Sequence, residues 1–152
     1  MDKRPLKVLF LCTQNSCRSQ MAEGWARHMK KGVLEPYSAG TAPAAVHPLA
    51  VRVMAEAGVD ISGQRTKHVD ELRDITFDLV VTLCDSARES CPVPPRARRV
   101  LHRSFPDPAK AEGSAEEILA AFRRVRDLIR DFVAGMPEDL GPEAGDEKRG
   151  DL

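Results

Sequence analysis

A run of four apolar residues, Val8-Leu9-Phe10-Leu11, passes without a break into Cys12-Thr13-Gln14-Asn15-Ser16-Cys17-Arg18-Ser19, and a helical pattern follows at once. A short apolar run fits a buried strand, and a helix that starts near Ser19 leaves only a tight loop between the two. Such a loop gathers several backbone N–H groups and the positive end of a helix at one point, where an anion is favoured. Cys12 opens that loop. Both the helix terminus and the Arg18 guanidinium favour its thiolate over its thiol, so Cys12 reads as a nucleophile. Arg18 offers a planar fork of donors suited to a tetrahedral anion, and the Ser19 hydroxyl is placed to hydrogen-bond the thiolate and to cap the helix. The candidate oxyanion-binding loop is therefore Thr13, Gln14, Asn15, Ser16, Cys17 and Arg18. The plainer reading, that a cysteine ending a buried strand is a small core residue, is outweighed by the loop and helix around it.

Elsewhere, apolar runs at Lys7–Leu11, Leu34–Ser38, Leu79–Leu83 and Arg99–His102 alternate with helical patterns. That alternation predicts an α/β fold, a four-stranded parallel sheet with helices on both faces. The first helix carries Met21, Ala22, Trp25 and Met29 on one face and stops near Gly32. The second starts after Pro48, carries Leu49, Val53, Met54 and Ala57, and stops at Gly58. A short third helix is expected at Asp85–Ser90. The last has Ser114 and Glu117 spaced as a capping box, followed by Ile118, Leu119, Phe122, Val125, Ile129 and Phe132 at helical spacing. Its arginines, Arg123, Arg124, Arg126 and Arg130, fall mostly off that stripe and are expected to face water. From Met136 onward Pro, Gly, Glu and Asp dominate without an apolar period. The expected organisation is one catalytic domain over residues 1–135 and a disordered tail over 136–152.

Lys plus Arg equals Asp plus Glu at 23 each, so no net field attracts nucleic acid or an anionic membrane. No segment approaches the roughly 20 apolar residues of a membrane span, and Met1-Asp2-Lys3-Arg4-Pro5 leads into a strand rather than a signal peptide. A cytoplasmic protein, expected to be a monomer, is implied. Four cysteines in such a chain point to catalysis, redox exchange or metal rather than to structural disulfides. Their spacing does not match the short knuckles of structural zinc, and the histidines show no metal spacing.

Two of those cysteines, Cys84 and Cys91, sit seven residues apart in Cys84-Asp85-Ser86-Ala87-Arg88-Glu89-Ser90-Cys91-Pro92. In a helix seven residues rise about 10.5 Å, beyond the Cα separation of about 7 Å at which a disulfide can close. Forming that bond would unwind the segment, which would link oxidation to a conformational change. An isolated pair of this kind reads more readily as inert core thiols; with the Cys12 loop present, redox use is favoured. Further on, Phe105-Pro106-Asp107-Pro108-Ala109 follows the final strand, where the C-terminal ends of parallel strands build an active-site rim. Asp107 there is a candidate general acid, although an Asp-Pro pair also suits a plain turn.

The stretch from Cys12 to Trp25 closely resembles the first loop and helix of the low-molecular-weight protein tyrosine phosphatase superfamily. Within it, the stretch resembles the thioredoxin-coupled arsenate reductases, Gln14 standing where they carry glycine. The resemblance spans roughly residues 6–133. It implies a phosphatase-like fold and three catalytic cysteines, Cys12, Cys84 and Cys91, acting with Arg18, Ser19 and Asp107. Arsenate would be the substrate, phosphate and sulfate competing oxyanions, and thioredoxin the reductant, with no bound cofactor. Phosphatases of the superfamily carry an aromatic residue where this chain has Ala109, which weakens an aryl-phosphate reading. A phosphatase using a cysteinyl-phosphate intermediate, and a non-catalytic thiol module binding arsenite or zinc, remain as alternatives. Cys17 is expected to pack rather than react. In potassium-activated members the positions of Asn15, Glu23 and Ser38 help hold the ion. Here the stretch that would complete that site is cationic, and Lys67 could place its ammonium where the ion would sit, which argues against potassium dependence. Gln14 is expected to alter the loop locally, since glutamine tolerates positive φ less well than glycine.

Overall fold

The structure is a computed structural model and describes residues 4–84 and 95–138. Its four strands are β1 (Leu6–Leu11), β2 (Leu34–Ala39), β3 (Leu79–Thr82) and β4 (Val100–His102). They form one parallel sheet in the order β2-β1-β3-β4. Three helices accompany them: α1 (Arg18–Met29), α2 (Pro48–Glu56) and α3 (Ala115–Ala134). Single 3-10 turns lie at Val69–Leu72 and Pro108–Lys110. The expected four-stranded parallel α/β sheet is the observed one, with strands within a residue of their expected ends, but among the described residues all three α-helices pack on one face rather than on both. The proposed helix at Asp85–Ser90 lies outside the described residues.

The sheet is covered on both faces, and β1 shows why its sequence is apolar throughout rather than alternating. Val8 and Phe10 point into a large core shared with α1, α2 and α3, which includes Met21, Trp25, Val53, Met54, Phe122 and Ile129. Leu9 and Leu11 point the other way, into a smaller cluster with Val69, Leu72, Phe77 and Val80. On that second face the described cover comes from the 3-10 turn and from Tyr37, packed edge-on against Phe77, rather than from an α-helix.

Helix ends follow local chemistry. Ser114 and Glu117 form the expected reciprocal cap on α3, and His47 Nδ1 accepts from Leu49 N at the start of α2, ahead of Pro48. Two expectations need correction. Arg126 does not face water: its side chain is only 14% exposed, donating to Val53 O, Glu56 and Asp127, while Trp25 Nε1 donates to its carbonyl. It joins α3 to α2 and α1. Arg124 is exposed as expected, and Arg123 grips Glu56 with two hydrogen bonds. The second correction is Met136, which belongs to the core and is fully buried rather than opening a tail. A lone methionine in polar sequence has no period to betray its burial. The remainder of the expected tail, residues 139–152, lies outside the described residues.

Candidate active site

The sheet order places the site. Chain connections leave β1 toward β2 on one side, and β1 pairs with β3 on the other, so the crevice beyond the C-terminal end of β1 lies at a topological switch point. Cys12 is the first residue beyond β1 and is buried. The loop from it to α1 closes a cleft of about 120 Å³ lined by Cys12, Thr13, Gln14, Ser16, Cys17, Arg18, Asp107 and Lys110.

The backbone of this loop is held from outside. Thr13 O accepts from Thr41 N and Ala42 N, Gln14 O from Ala44 N, and Ser16 O from His47 N, each near 3.0 Å. Asn15 O accepts from Gln20 Nε2 at 3.1 Å. In a trans peptide the C=O and N–H point opposite ways. Tying four successive carbonyls outward therefore turns the amides of residues 14–17 toward the cleft. Gly40 permits the tight fit, because a Cβ there would collide with the carbonyl oxygens of Cys12 and Thr13. Neither Gly40 nor Gln20 was singled out from sequence; a glycine directly after a strand, in register with the loop, was the available signal.

Loop conformation also settles the substitution at position 14. The left-handed residue is Asn15, with φ 53°, a conformation asparagine tolerates. Gln14 does not adopt positive φ, so the expected local change from glycine at that position does not arise from backbone strain.

A directed chain of hydrogen bonds reaches Cys12. Lys67 N donates to Asn15 Oδ1 (2.8 Å), which fixes the amide so that Asn15 Nδ2 donates to Ser19 Oγ (2.8 Å). The Ser19 hydroxyl, which accepts from Asn15, is hydrogen-bonded to Cys12 Sγ, 2.9 Å away, and can donate to that sulfur. The expected capping role of Ser19 is not seen: α1 begins at Arg18, its N-cap is Cys17, and no side chain caps it. Ser19 lies inside the first turn and is committed to the sulfur. Leaving the first amides uncapped suits an anion site, since the ligand takes the place of the cap.

Arg18 is 3% exposed. Its Nη1 donates to Phe105 O (3.3 Å) and its Nη2 lies 3.6 Å from Asp107 Oδ2. The other Asp107 oxygen accepts from Ala109 N, capping the Pro108–Lys110 turn. Cys12, Arg18 and Asp107, expected from sequence to act together, thus line one cleft. Cys17 is a buried free thiol, and burial pushes it up to about 12, against a hydrogen bond from Ser16 that lowers it. It stays protonated near neutrality, as the packing role requires.

The four residues expected around a cation come together in a way that leaves little for one to bind. Glu23 accepts from Ser38 Oγ on one oxygen and from Arg27 on the other. Asn15 Oδ1 is taken by Lys67 N. The ion pair on Glu23 is made by Arg27, which sequence reasoning missed although it lies at i,i+4 on the same helix. Lys67 Nζ instead donates to Arg65 O (3.0 Å); burial pushes its ammonium down and the field of Glu23 opposes that.

Cys84 follows β3 and is fully buried and disulfide-bonded, while Cys12 and Cys17 are free. Leu11 pairs with Thr82 and its carbonyl accepts from Leu83 N (2.8 Å). Cys12 and Cys84 therefore leave adjacent parallel strands, about 4.8 Å apart, at the same end. Cys91 lies outside the described residues.

A strand-borne cysteine in a loop of inward amides, with an arginine opening the next helix and an aspartate on the rim, defines a cysteine-dependent oxyanion enzyme on a phosphatase-like fold. The chain belongs to the low molecular weight phosphotyrosine protein phosphatase family, whose pattern it matches over residues 7–144. Among its relatives is an arsenate reductase of Halalkalibacterium halodurans, 50% identical over 122 residues, 80% of this chain and 88% of that one. The fold is similar to that of an arsenate reductase in the reduced state (TM-score 0.73, 32% identity, covering 90% of this chain and 99% of the other). It is similar also to an arsenate reductase in the phosphate binding state (TM-score 0.71, 31% identity, covering 90% and 99%).

Proposed function

We propose that this protein reduces arsenate to arsenite through Cys12, with a disulfide relay through Cys84 and Cys91 that thioredoxin re-reduces. The observation that carries the reading is the sheet register, by which Cys12, directly past β1, and Cys84, two residues past β3, leave neighbouring strands at the same end of the sheet; a phosphatase needs no second thiol there. The arsenate reductases among its relatives and structural neighbours support the substrate, and the phosphate-binding one supports a tetrahedral oxyanion in the loop.

In this reading the Cys12 thiolate attacks arsenic while Arg18 and the loop amides hold the oxyanion, and Asp107 gives its proton to the oxygen that leaves as water. A sulfur–arsenic bond forms and an arsenic–oxygen bond breaks. Cys84 then attacks Cys12 sulfur; the sulfur–arsenic bond breaks with its electron pair passing to arsenic, so arsenite leaves and a Cys12–Cys84 disulfide remains. Cys91 attacks Cys84, releasing Cys12 as thiolate. The Cys84–Cys91 disulfide is reduced by the thioredoxin dithiol through ordinary exchange.

The residues matching a potassium site do not fit the ion. Glu23 is neutralised by Arg27, and Asn15 Oδ1 accepts a backbone amide. Activity is expected to be equal in sodium and potassium buffers, and a large potassium stimulation would sink that expectation.

The deciding experiment follows NADPH consumption with thioredoxin, thioredoxin reductase and arsenate, for the wild type and for Cys12→Ser, Cys84→Ser and Cys91→Ser. Turnover that is lost in all three variants supports the relay. No turnover with arsenate, together with aryl-phosphate hydrolysis that survives Cys84→Ser, would make this a phosphatase instead.

A further inference from the structure

Lys110 lines the cleft of Cys12 and Arg18, yet nothing in the chemistry above uses it. Its position is fixed by the turn Pro108–Lys110: Asp107 Oδ1 accepts from Ala109 N (3.0 Å), and Lys110 N donates to Asp107 O (3.1 Å). The lysine therefore follows Asp107 around one turn and stands, exposed, at the mouth.

The charges of the cleft give it a task. Arg18 is the single guanidinium lining the cleft, and it already lies 3.6 Å from the Asp107 carboxyl, with the Cys12 sulfur in the same cleft. An incoming tetrahedral oxyanion brings further negative charge, and the loop amides and helix terminus contribute only about half an elementary charge. Of the described residues lining the cleft, Lys110 alone adds a second cation. A compact, strongly hydrated ammonium on a flexible stem can meet an arriving anion without being locked in an ion pair. The cleft suits a small guest: it measures about 120 Å³ and among the described residues no aromatic ring lines it, Ala109 offering only a methyl beside the acid.

We propose that Lys110 is an oxyanion-binding and specificity-determining residue, its ammonium meeting the outward oxygens of a small, doubly charged, free oxyanion such as arsenate or phosphate at the mouth of the cleft. The proposal rests on the oxyanion reading of the Cys12 loop, and its test is chosen to work whether or not arsenate is reduced.

The fully reduced protein, with Lys110→Gln and Lys110→Arg beside it, is alkylated by iodoacetate, an anion, and by iodoacetamide, its neutral counterpart. Modification of the Cys12 peptide is followed by mass spectrometry. Lys110→Gln is expected to slow iodoacetate by roughly 3- to 10-fold and to change iodoacetamide by less than about 2-fold, an effect of local field that fades in high salt. Lys110→Arg retains the wild-type ratio. In steady state the loss in Lys110→Gln falls on KM for arsenate, and inhibition by phosphate weakens in parallel. An unchanged iodoacetate-to-iodoacetamide ratio in Lys110→Gln, or an equal fall in both rates, would overturn the role of Lys110. A protein that shows the expected ratio but reduces no arsenate would overturn the reaction proposed above and leave the anion site standing.

Discussion

At the scale of single residues, the site is governed by where a few hydrogens point. Ser19 serves the sulfur because Asn15 donates to its oxygen, and Asn15 can do so only because Lys67 N occupies its carbonyl oxygen. Removing the hydroxyl deletes a hydrogen bond to a charged group, worth about 1.5–3 kcal/mol. Ser19→Ala should therefore lower the rate of Cys12 alkylation by iodoacetamide at neutral pH by roughly 10- to 100-fold, with the far-ultraviolet circular dichroism unchanged. An unaltered rate would mean that helix terminus and guanidinium suffice without the serine. Sequence reasoning named Cys12, Arg18 and Ser19 because chain order alone sets a thiol, an arginine and a hydroxyl around one loop, and Asp107 because it follows the final strand at the sheet's C-terminal edge and matches the family's position. It misassigned Ser19 as a cap and did not foresee Arg27 as the ion-pair partner of Glu23, since which donor reaches which acceptor is settled by side-chain geometry. Lys67 and Arg27 are both cationic and both near; only the structure shows that Arg27 takes the carboxylate.

At the scale of elements, the loop is a rigid piece held by its neighbours. Its carbonyls are fastened to residues 41–47, and Gly40 lies flat against Cys12 and Thr13. A methyl group at Gly40 must displace backbone rather than a flexible side chain. Gly40→Ala is expected to cost about 1–3 kcal/mol of stability by overpacking, read from urea unfolding midpoints, and to reduce Cys12 reactivity at the same time; a destabilised variant with full reactivity would show that the contact shapes the fold alone. The helices are joined at Glu56, which hydrogen bonding from Arg123 lowers from the ordinary 4.5 to about 2. A carboxylate depressed in the folded state stabilises at pH above its unfolded value and loses that contribution as pH falls through the folded one. The stability difference between wild type and Glu56→Gln should thus be present at pH 7, decline below about pH 4.5, and vanish near pH 2, by urea unfolding at stepped pH. A constant difference across that range would show that the pair with Arg123 does not stabilise the fold. Helix boundaries were legible beforehand because caps are local chemistry: Ser114 with Glu117, and His47 before Pro48.

For the whole molecule, burial decides membership of the core more than sequence pattern does. Met136 stands beyond the last helix in a polar stretch, yet is fully buried against the large core. Met136→Ala should cost about 2–5 kcal/mol, as expected of a large-to-small core change, and a loss below about 0.5 kcal/mol would exclude it from the core. By itself the sequence determined the strand–loop–helix unit that carries Cys12, Arg18 and Ser19, the caps of α2 and α3 and the amphipathic face of α3. Each of these depends on residues close in the chain, where spacing, capping and apolar period act without long-range contacts. Tertiary structure alone decided that β3 lies next to β1, with Cys84 emerging beside Cys12, that Arg126 is enclosed between helices, and that Lys110 shares the cleft with Arg18. Those are meetings of residues far apart in the chain, and their cause is how the strands pair and the layers pack, which no local pattern encodes.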